Sequence, residues 1–417
     1  MQVDADLHLH GYYSGGVSDR MKLPVMAEQS DIKGLDLVGT GDILNPEWRE
    51  HVRDETRATG DGIYRMDDRR FLLSTEVEDK NRVHHILLFP HFEAVESVYR
   101  AFADHSSDID REGRPRLDCG GEEIVKVAKD HGCLVGPAHA FTPYTALYGH
   151  HDSLQDCYGE QTRNIDFLEL GLSADTAFAD RISDHNDITF LSNSDAHSPW
   201  PHRMGREFNR LQVDELAFDE VRKALHRHSG RGVELNAGFD PQEGKYHCTA
   251  CQDCHQKYTQ EQAERFDWTC QDCGKSIKQG VKDRIAELDD GGASPDWRPD
   301  YLHTVPLAEI IQHVVGHSSP TTKKVQSLYD RFLDAFDSEI GILVDQDIDE
   351  LRDINGQVAD AVRLFREEKT IMVPGGGGSY GELIIPRDED ERERILANRA
   401  AELDCRYDNS QRSLDDF

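Results

Sequence analysis

The chain has 417 residues and a mass of 47.3 kDa, enough to bury a large core, and its length suggests two or three domains. Its 47 basic residues face 80 acidic ones, a formal net charge of -33, which argues against the usual binding of nucleic acid through a basic surface that neutralises phosphates. No apolar run approaches the roughly 18 residues of a membrane span, and no basic-then-apolar leader opens the chain, so the expectation is a soluble cytoplasmic protein without a membrane partner.

Only 14 of the 47 basic residues are Lys, and the acidic ones are dispersed. That balance suits a halophilic protein in a salt-rich cytosol, where screening changes what net charge means for binding. An ordinary acidic enzyme with a small neutral or cationic substrate has the same composition. Five of the nine cysteines fall between Cys248 and Cys273, which suggests metal ligation rather than a disulfide framework.

The chain opens with Asp6-Leu7-His8-Leu9-His10. In a strand Asp6, His8 and His10 share one side, a metal-binding edge or simply a strand with two surface histidines. Strand-like runs follow at 34–42, 71–77, 83–90, 133–139, 165–170 and 188–195, with helical spacing between them at 122–130 and 215–228. Such alternation predicts an α/β fold with a mainly parallel sheet, and the number of repeats favours a barrel. In such a barrel, catalytic groups gather at the C-terminal strand ends. Asp42, Glu76, His84 or His85, His139, Asp195 and His197 each stand in or at an end of one of these runs.

After a linker at 240–244, Cys251-Gln252-Asp253-Cys254 and Cys270-Gln271-Asp272-Cys273 form a paired CxxC signature with zinc-ribbon spacing. Four thiolates close a structural Zn²⁺ shell; Cys248 is an alternative first ligand. Residues 298–366 show helical apolar spacing. The run Pro374-Gly375-Gly376-Gly377-Gly378-Ser379-Tyr380-Gly381 is either a cradle of backbone N–H groups for a phosphate or a flexible turn. At the end, Gln411, Leu414 and Phe417 are spaced three apart. That spacing resembles the peptide by which DNA enzymes dock on a sliding clamp.

Together, the first motif with Tyr13-Ser14, Gly39-Thr40-Gly41-Asp42, Ser74-Thr75-Glu76, His85-Ile86-Leu87, Pro137-Ala138-His139 and Ser194-Asp195-Ala196-His197 resemble the PHP (polymerase and histidinol phosphatase) superfamily. The resemblance implies a distorted (β/α)7 barrel holding two or three divalent ions, Zn²⁺, Mn²⁺, Fe²⁺ or Mg²⁺. It implies His8, His10, Asp42, Glu76, His85, His139, Asp195 and His197 as ligands, with Asp42, Asp195 and His197 catalytic. His85 is preferred over His84 because it directly precedes Ile86-Leu87. Many members follow the Asp of the second motif with His, where this chain has Ile43, a departure at one metal position.

The order of parts is a PHP barrel at 1–238, a four-Cys ribbon at 239–290, a helical domain with the glycine loop at 291–385 and a charged tail at 386–417. It resembles the superfamily's DNA-repair endonucleases. That resemblance implies metal-assisted cleavage of DNA 5′ to deaminated bases (uracil, hypoxanthine, xanthine) or abasic sites. Phe141, Tyr144 and Trp200 are candidates to wedge or stack, and His202, Arg203 and Arg206, with Gly376 and Gly377, to hold phosphates. The rival readings are a small-molecule phosphatase and a non-catalytic DNA-binding module.

Overall fold

The computed structural model describes residues 1–407, so the clamp-like Gln411, Leu414 and Phe417 lie outside the described residues. Strands β1 (Gln2–Asp6), β2 (Leu37–Gly39) and β3 (Arg69–Glu78) are parallel neighbours. The connection from β1 to β2 carries helix α1 (Leu23–Lys33). This helix buries Leu23, Met26, Ala27, Ser30 and Lys33, a three-and-four spacing that defines one inward stripe. It stops at Gly34, whose φ of 92° is open to glycine and strained for other residues.

The run of parallel neighbours from β1 ends at β3. Only residues 79–83 separate it from β4 (His84–Phe89), too few for a crossover helix, so the two form an antiparallel hairpin. Strand β5 (Leu134–Pro137) is antiparallel to β4, whereas β6 (Phe167–Glu169) and β7 (Thr189–Leu191) pair in parallel. On the other side of β1, strands β8 (Phe208–Gln212) and β9 (Gly232–Gly238) pair antiparallel. The expected mainly parallel sheet is therefore mixed.

The β8 strand escapes sequence periodicity because Asn209 and Arg210 are polar yet buried. Asn209 donates to Ser192 O and Asn193 Oδ1, and Arg210 forks onto Asp4 and Asp345. Strand β10 (Asp300–His303), from a stretch with helical spacing, pairs in parallel with β9 and ties the later chain to this sheet.

Both faces of the central strands are covered. Phe71, Leu73, Leu87, Phe89 and Val135 pack into one apolar cluster, while Leu72, Ile86, Leu88 and Leu134 pack into another with Phe167, Leu191 and Leu211. That explains the continuous apolar runs, which half-exposed strands do not show. Backbone bonds from Asp166 N to Val135 O at 2.9 Å and from His10 N to Ala196 O at 3.1 Å curl the sheet, bringing the segment after β1 against the segment after β7.

A separate apolar cluster unites four helices, Leu307–Val315, Lys323–Leu333, Ile348–Ile354 and Gly356–Arg366, around Ile310, Phe332, Leu351 and Val362. Cys248 is disulfide-bonded to Cys405, 157 residues away, so it is not available as an alternative metal ligand. Among the described residues, no helix is long and apolar enough to cross a membrane.

Candidate active site

The strand ends meet in one nest of imidazoles and carboxylates. His8 and His10 follow β1, Glu76 lies in β3, His139 follows β5, and Asp195 and His197 follow β7. His84 joins them because β4 runs antiparallel, which puts its first residues beside the end of β3, with Glu78 opposite His84. His85, one position on, points to the opposite face and bonds Tyr158. The sequence preference for His85 is thereby reversed.

Three ligand groups share corners: His8, His10 and Glu76; His10, Asp195 and His197; Glu76, His84 and His139. Glu76 Oε1 lies 2.7 Å from His84 Nδ1 and 3.0 Å from His139 Nε2. His10 Nε2 lies 3.0 Å from Asp195 Oδ1 and 3.4 Å from Glu76 Oε2. His8 Nε2 is buried without a hydrogen-bond partner, and His10 Nε2 and Asp195 Oδ1 are buried with no partner besides each other, although such atoms are normally satisfied. A mixed set of imidazole nitrogens and carboxylate oxygens with orphaned inward atoms fits divalent cations of the zinc, manganese or iron type.

The electrostatics agree. Burial opposes a charge on His8, yet Glu169, Glu76 and Asp195 outweigh it and carry the ring up to about 9. His10 is likewise lifted well above the usual imidazole range against burial, by Asp195 and Asp42. Glu76, although buried, is held well below the carboxylate range by His84 and His139. The nest holds an excess of negative charge that divalent cations would neutralise in place of protons.

Several residues hold this nest in shape. Asp42 does not face the groups above: its Oδ1 lies 3.1 Å from His10 Nδ1, and its Oδ2 accepts Gly11 N at 2.6 Å. It orients the candidate ligand His10, which corrects its own expected place among the ligands. Asp6 also turns away, accepting Ser194 Oγ at 2.6 Å and Gly205 N at 2.9 Å. Glu169, in none of the sequence motifs, sits 2.9 Å from His8 Nδ1. The signal for it was an acid inside the apolar run Phe167-Leu168-Glu169-Leu170. Arg114, on a loop without any motif, reaches Glu76 Oε2 at 3.1 Å. Asp42, His139 and Asp195 have φ of 48°, 29° and 46°, a left-handed backbone that costs on the order of 1–3 kcal/mol each outside glycine.

Arg203 and Arg206 line a hollow beside Asp195 and His197, and both also line an adjoining cavity of about 410 Å³. Its walls include Leu172, Phe239, Glu243, Glu309 and Tyr380, and burial pushes the Glu243 carboxyl up to about 7. Part of the Arg206 guanidinium is already committed to Ser194 O, at 2.9 and 3.0 Å.

Phe141 does not reach this cleft. It is buried and stacked on Tyr148, a core residue rather than a wedge. Tyr144 is exposed and accepts a hydrogen bond from Gln252. The glycine run is a packed turn, not a phosphate cradle. Gly376 N donates to Ser379 O, Gly378 N to Lys245 O, and a Cβ on Gly377 would sit 2.1 Å from Cys251 O. Cys251, Cys254, Cys270 and Cys273 converge in a second metal-type group, with Sγ pairs 3.4 and 3.5 Å apart.

The chain is similar in structure to the lesion-specific endonuclease PfuEndoQ of Pyrococcus furiosus: TM-score 0.91 and 48% identity, covering 95% of this chain and 99% of that one. It matches an endonuclease Q in complex with a 27-mer duplex carrying an abasic lesion at the active site with TM-score 0.88 and 49% identity, covering 93% and 97% of the two chains. It is 44% identical over 269 residues, 63% of its length, to the Methanocaldococcus jannaschii protein MJ0043, of whose length it spans about a third, 33%. The family model of the MJ0043 C-terminal domain matches residues 306–369, which hold the four helices described above.

Proposed function

The chain belongs to the endonuclease Q family, and from that premise we propose that it is a metal-dependent endonuclease of DNA repair, hydrolysing the phosphodiester 5′ to deaminated bases or abasic sites. The observation that carries this reading is the convergence of His8, His10, Glu76, His84, His139, Asp195 and His197 with inward atoms left unpaired. Two or three divalent ions held there would supply an activated water and neutralise charge on the phosphoryl group. Arg114, at the edge of this nest, and Arg203, beside Asp195, would hold the phosphates on either side of the cut. The cavity past Arg203 and Arg206 would receive the flipped lesion, with Tyr380 and Phe239 as apolar walls. Lesions unstack more cheaply than intact pairs, so entry itself selects for damage.

In this reading residues 1–238 form a distorted (β/α)7 barrel, 239–290 a ribbon with structural Zn²⁺ on its four cysteines, 291–385 a helical domain and 386–417 a tail that docks on a sliding clamp. The work is cytoplasmic, in a salt-rich cell. The test is incubation of the metal-loaded protein with duplexes carrying one uracil, hypoxanthine, xanthine or abasic site, at low and molar salt, mapping the nick. A nick on the 5′ side of the lesion supports the reading. Turnover of a simple phosphate ester with no nick on any duplex overturns it in favour of a small-molecule phosphatase. DNA binding with neither activity leaves only a binding module.

A further inference from the structure

Behind the strand that carries His84 lies a separate group of buried side chains, two of which leave an atom unpaired. Asp79, His85 and Cys157 are 2%, 0% and 7% exposed, and one potential ligand atom from each lies within 4.8 Å of the others. His85 Nε2 and Asp79 Oδ2 stand 3.7 Å apart, beyond hydrogen-bond range, and both atoms are buried without a partner. Leaving two such atoms unpaired costs on the order of 1–3 kcal/mol each. Their spacing is close to the roughly 3.4 Å edge of a tetrahedron of ligands at about 2.0–2.1 Å.

The outer atoms of the same residues are fixed. His85 Nδ1 lies 3.0 Å from Tyr158 OH, and Asp79 Oδ1 accepts Asn81 N and Val83 N at 2.8 Å each. A ligating residue oriented through its outer atom, with its inner atom free, is the pattern of a metal site.

We propose that Asp79, His85 and Cys157 bind one divalent cation of the zinc class, apart from the catalytic nest and the four-Cys group. A thiolate, an imidazole and a carboxylate suit that class of ion, and binding releases the Cys157 proton to solvent. The ion ties the turn between β3 and β4, which carries Asp79, to the helix Leu154–Tyr158, which carries Cys157. Because His84 and His85 point to opposite faces of one strand, the same tie braces the strand that presents His84. This inference does not depend on the substrate reading above.

The test is anomalous scattering at the zinc edge from crystals of the full chain grown with zinc. A peak bounded by Asp79, His85 and Cys157 is expected, beside those at the four cysteines and the catalytic nest. In parallel, Cys157→Ser protein should bind one zinc fewer per chain by elemental analysis. Peaks at the other two sites with none here overturn the proposal, and so does a folded Cys157→Ser protein with unchanged zinc content. If that variant does not fold, the crystal measurement alone decides.

Discussion

His8 Nδ1 lies 2.9 Å from Glu169 Oε2, a fully buried oxygen that also accepts His139 N at 2.7 Å. The other oxygen accepts Asn193 Nδ2 at 2.8 Å, so one carboxylate sets the orientation of two candidate ligands. Glu169→Gln keeps the shape and removes the charge that makes His8 a good donor. We expect metal affinity to fall about 10- to 100-fold, with excess metal restoring much of the activity. Competition with a chelator measures this, and an unchanged affinity would show that Glu169 only fills space.

His84 and His85 separate cleanly by variant. His84→Ala removes a ligand beside Glu76 and His139, and nicking should drop by at least about 10²-fold with little change in melting temperature. His85→Ala should lower the melting temperature while the protein still nicks in the cold. The reverse pattern would restore His85 to the catalytic nest.

Asp195→Asn keeps the hydrogen-bonding shape of the side chain but removes its negative charge beside His10 and His8. Nicking should disappear within detection, while lesion-duplex binding, followed by fluorescence anisotropy, stays within about threefold, about half of the 1.4 kcal/mol step that a tenfold change represents. Loss of binding in step with cleavage would mean that Asp195 holds the DNA rather than serving the chemistry.

Lys33 Nζ reaches Glu339 Oε1 at 2.7 Å with both side chains buried, and Glu339 also receives Leu307 N and Tyr329 OH. Lys33→Met leaves that carboxylate buried without its cation, a loss of about 3–5 kcal/mol. Chemical denaturation of the two proteins checks it; a loss under about 1 kcal/mol would place this pair among exposed bridges.

Burial pushes the Glu207 carboxyl up to about 8. The folded chain therefore holds this proton to about pH 8, whereas the unfolded chain releases it near the ordinary carboxylate value. The stability it contributes is complete below that value and is lost as pH rises through about 8, at about 1.4 kcal/mol per pH unit in between. Glu207→Gln should remove this slope in denaturant midpoints measured between pH 5 and 8. An unchanged slope would assign it to other groups.

The ligand motifs were legible because strands buried on both faces read as unbroken apolar runs, so a histidine or acid in or beside one stands out. The candidates His8, His10, Glu76, His139, Asp195 and His197 were singled out that way, and the four cysteines by spacing alone. These are local signals, carried by neighbours in sequence. The choice between His84 and His85 was not local: it required knowing that β4 runs antiparallel, which follows from the five residues joining it to β3. Asp42 likewise has the motif of a ligand, but only the approach of His10 and Gly11 turns it into a support.

What the amino-acid order determined by itself was which residue types stand at which strand ends, and hence the kind of chemistry available. Tertiary structure alone decided which way they point and whom they meet. Glu169, Arg114, the Cys248 to Cys405 link and the packed glycine turn arise from chain segments brought together across long separations, and pairing at a distance leaves no trace in local periodicity.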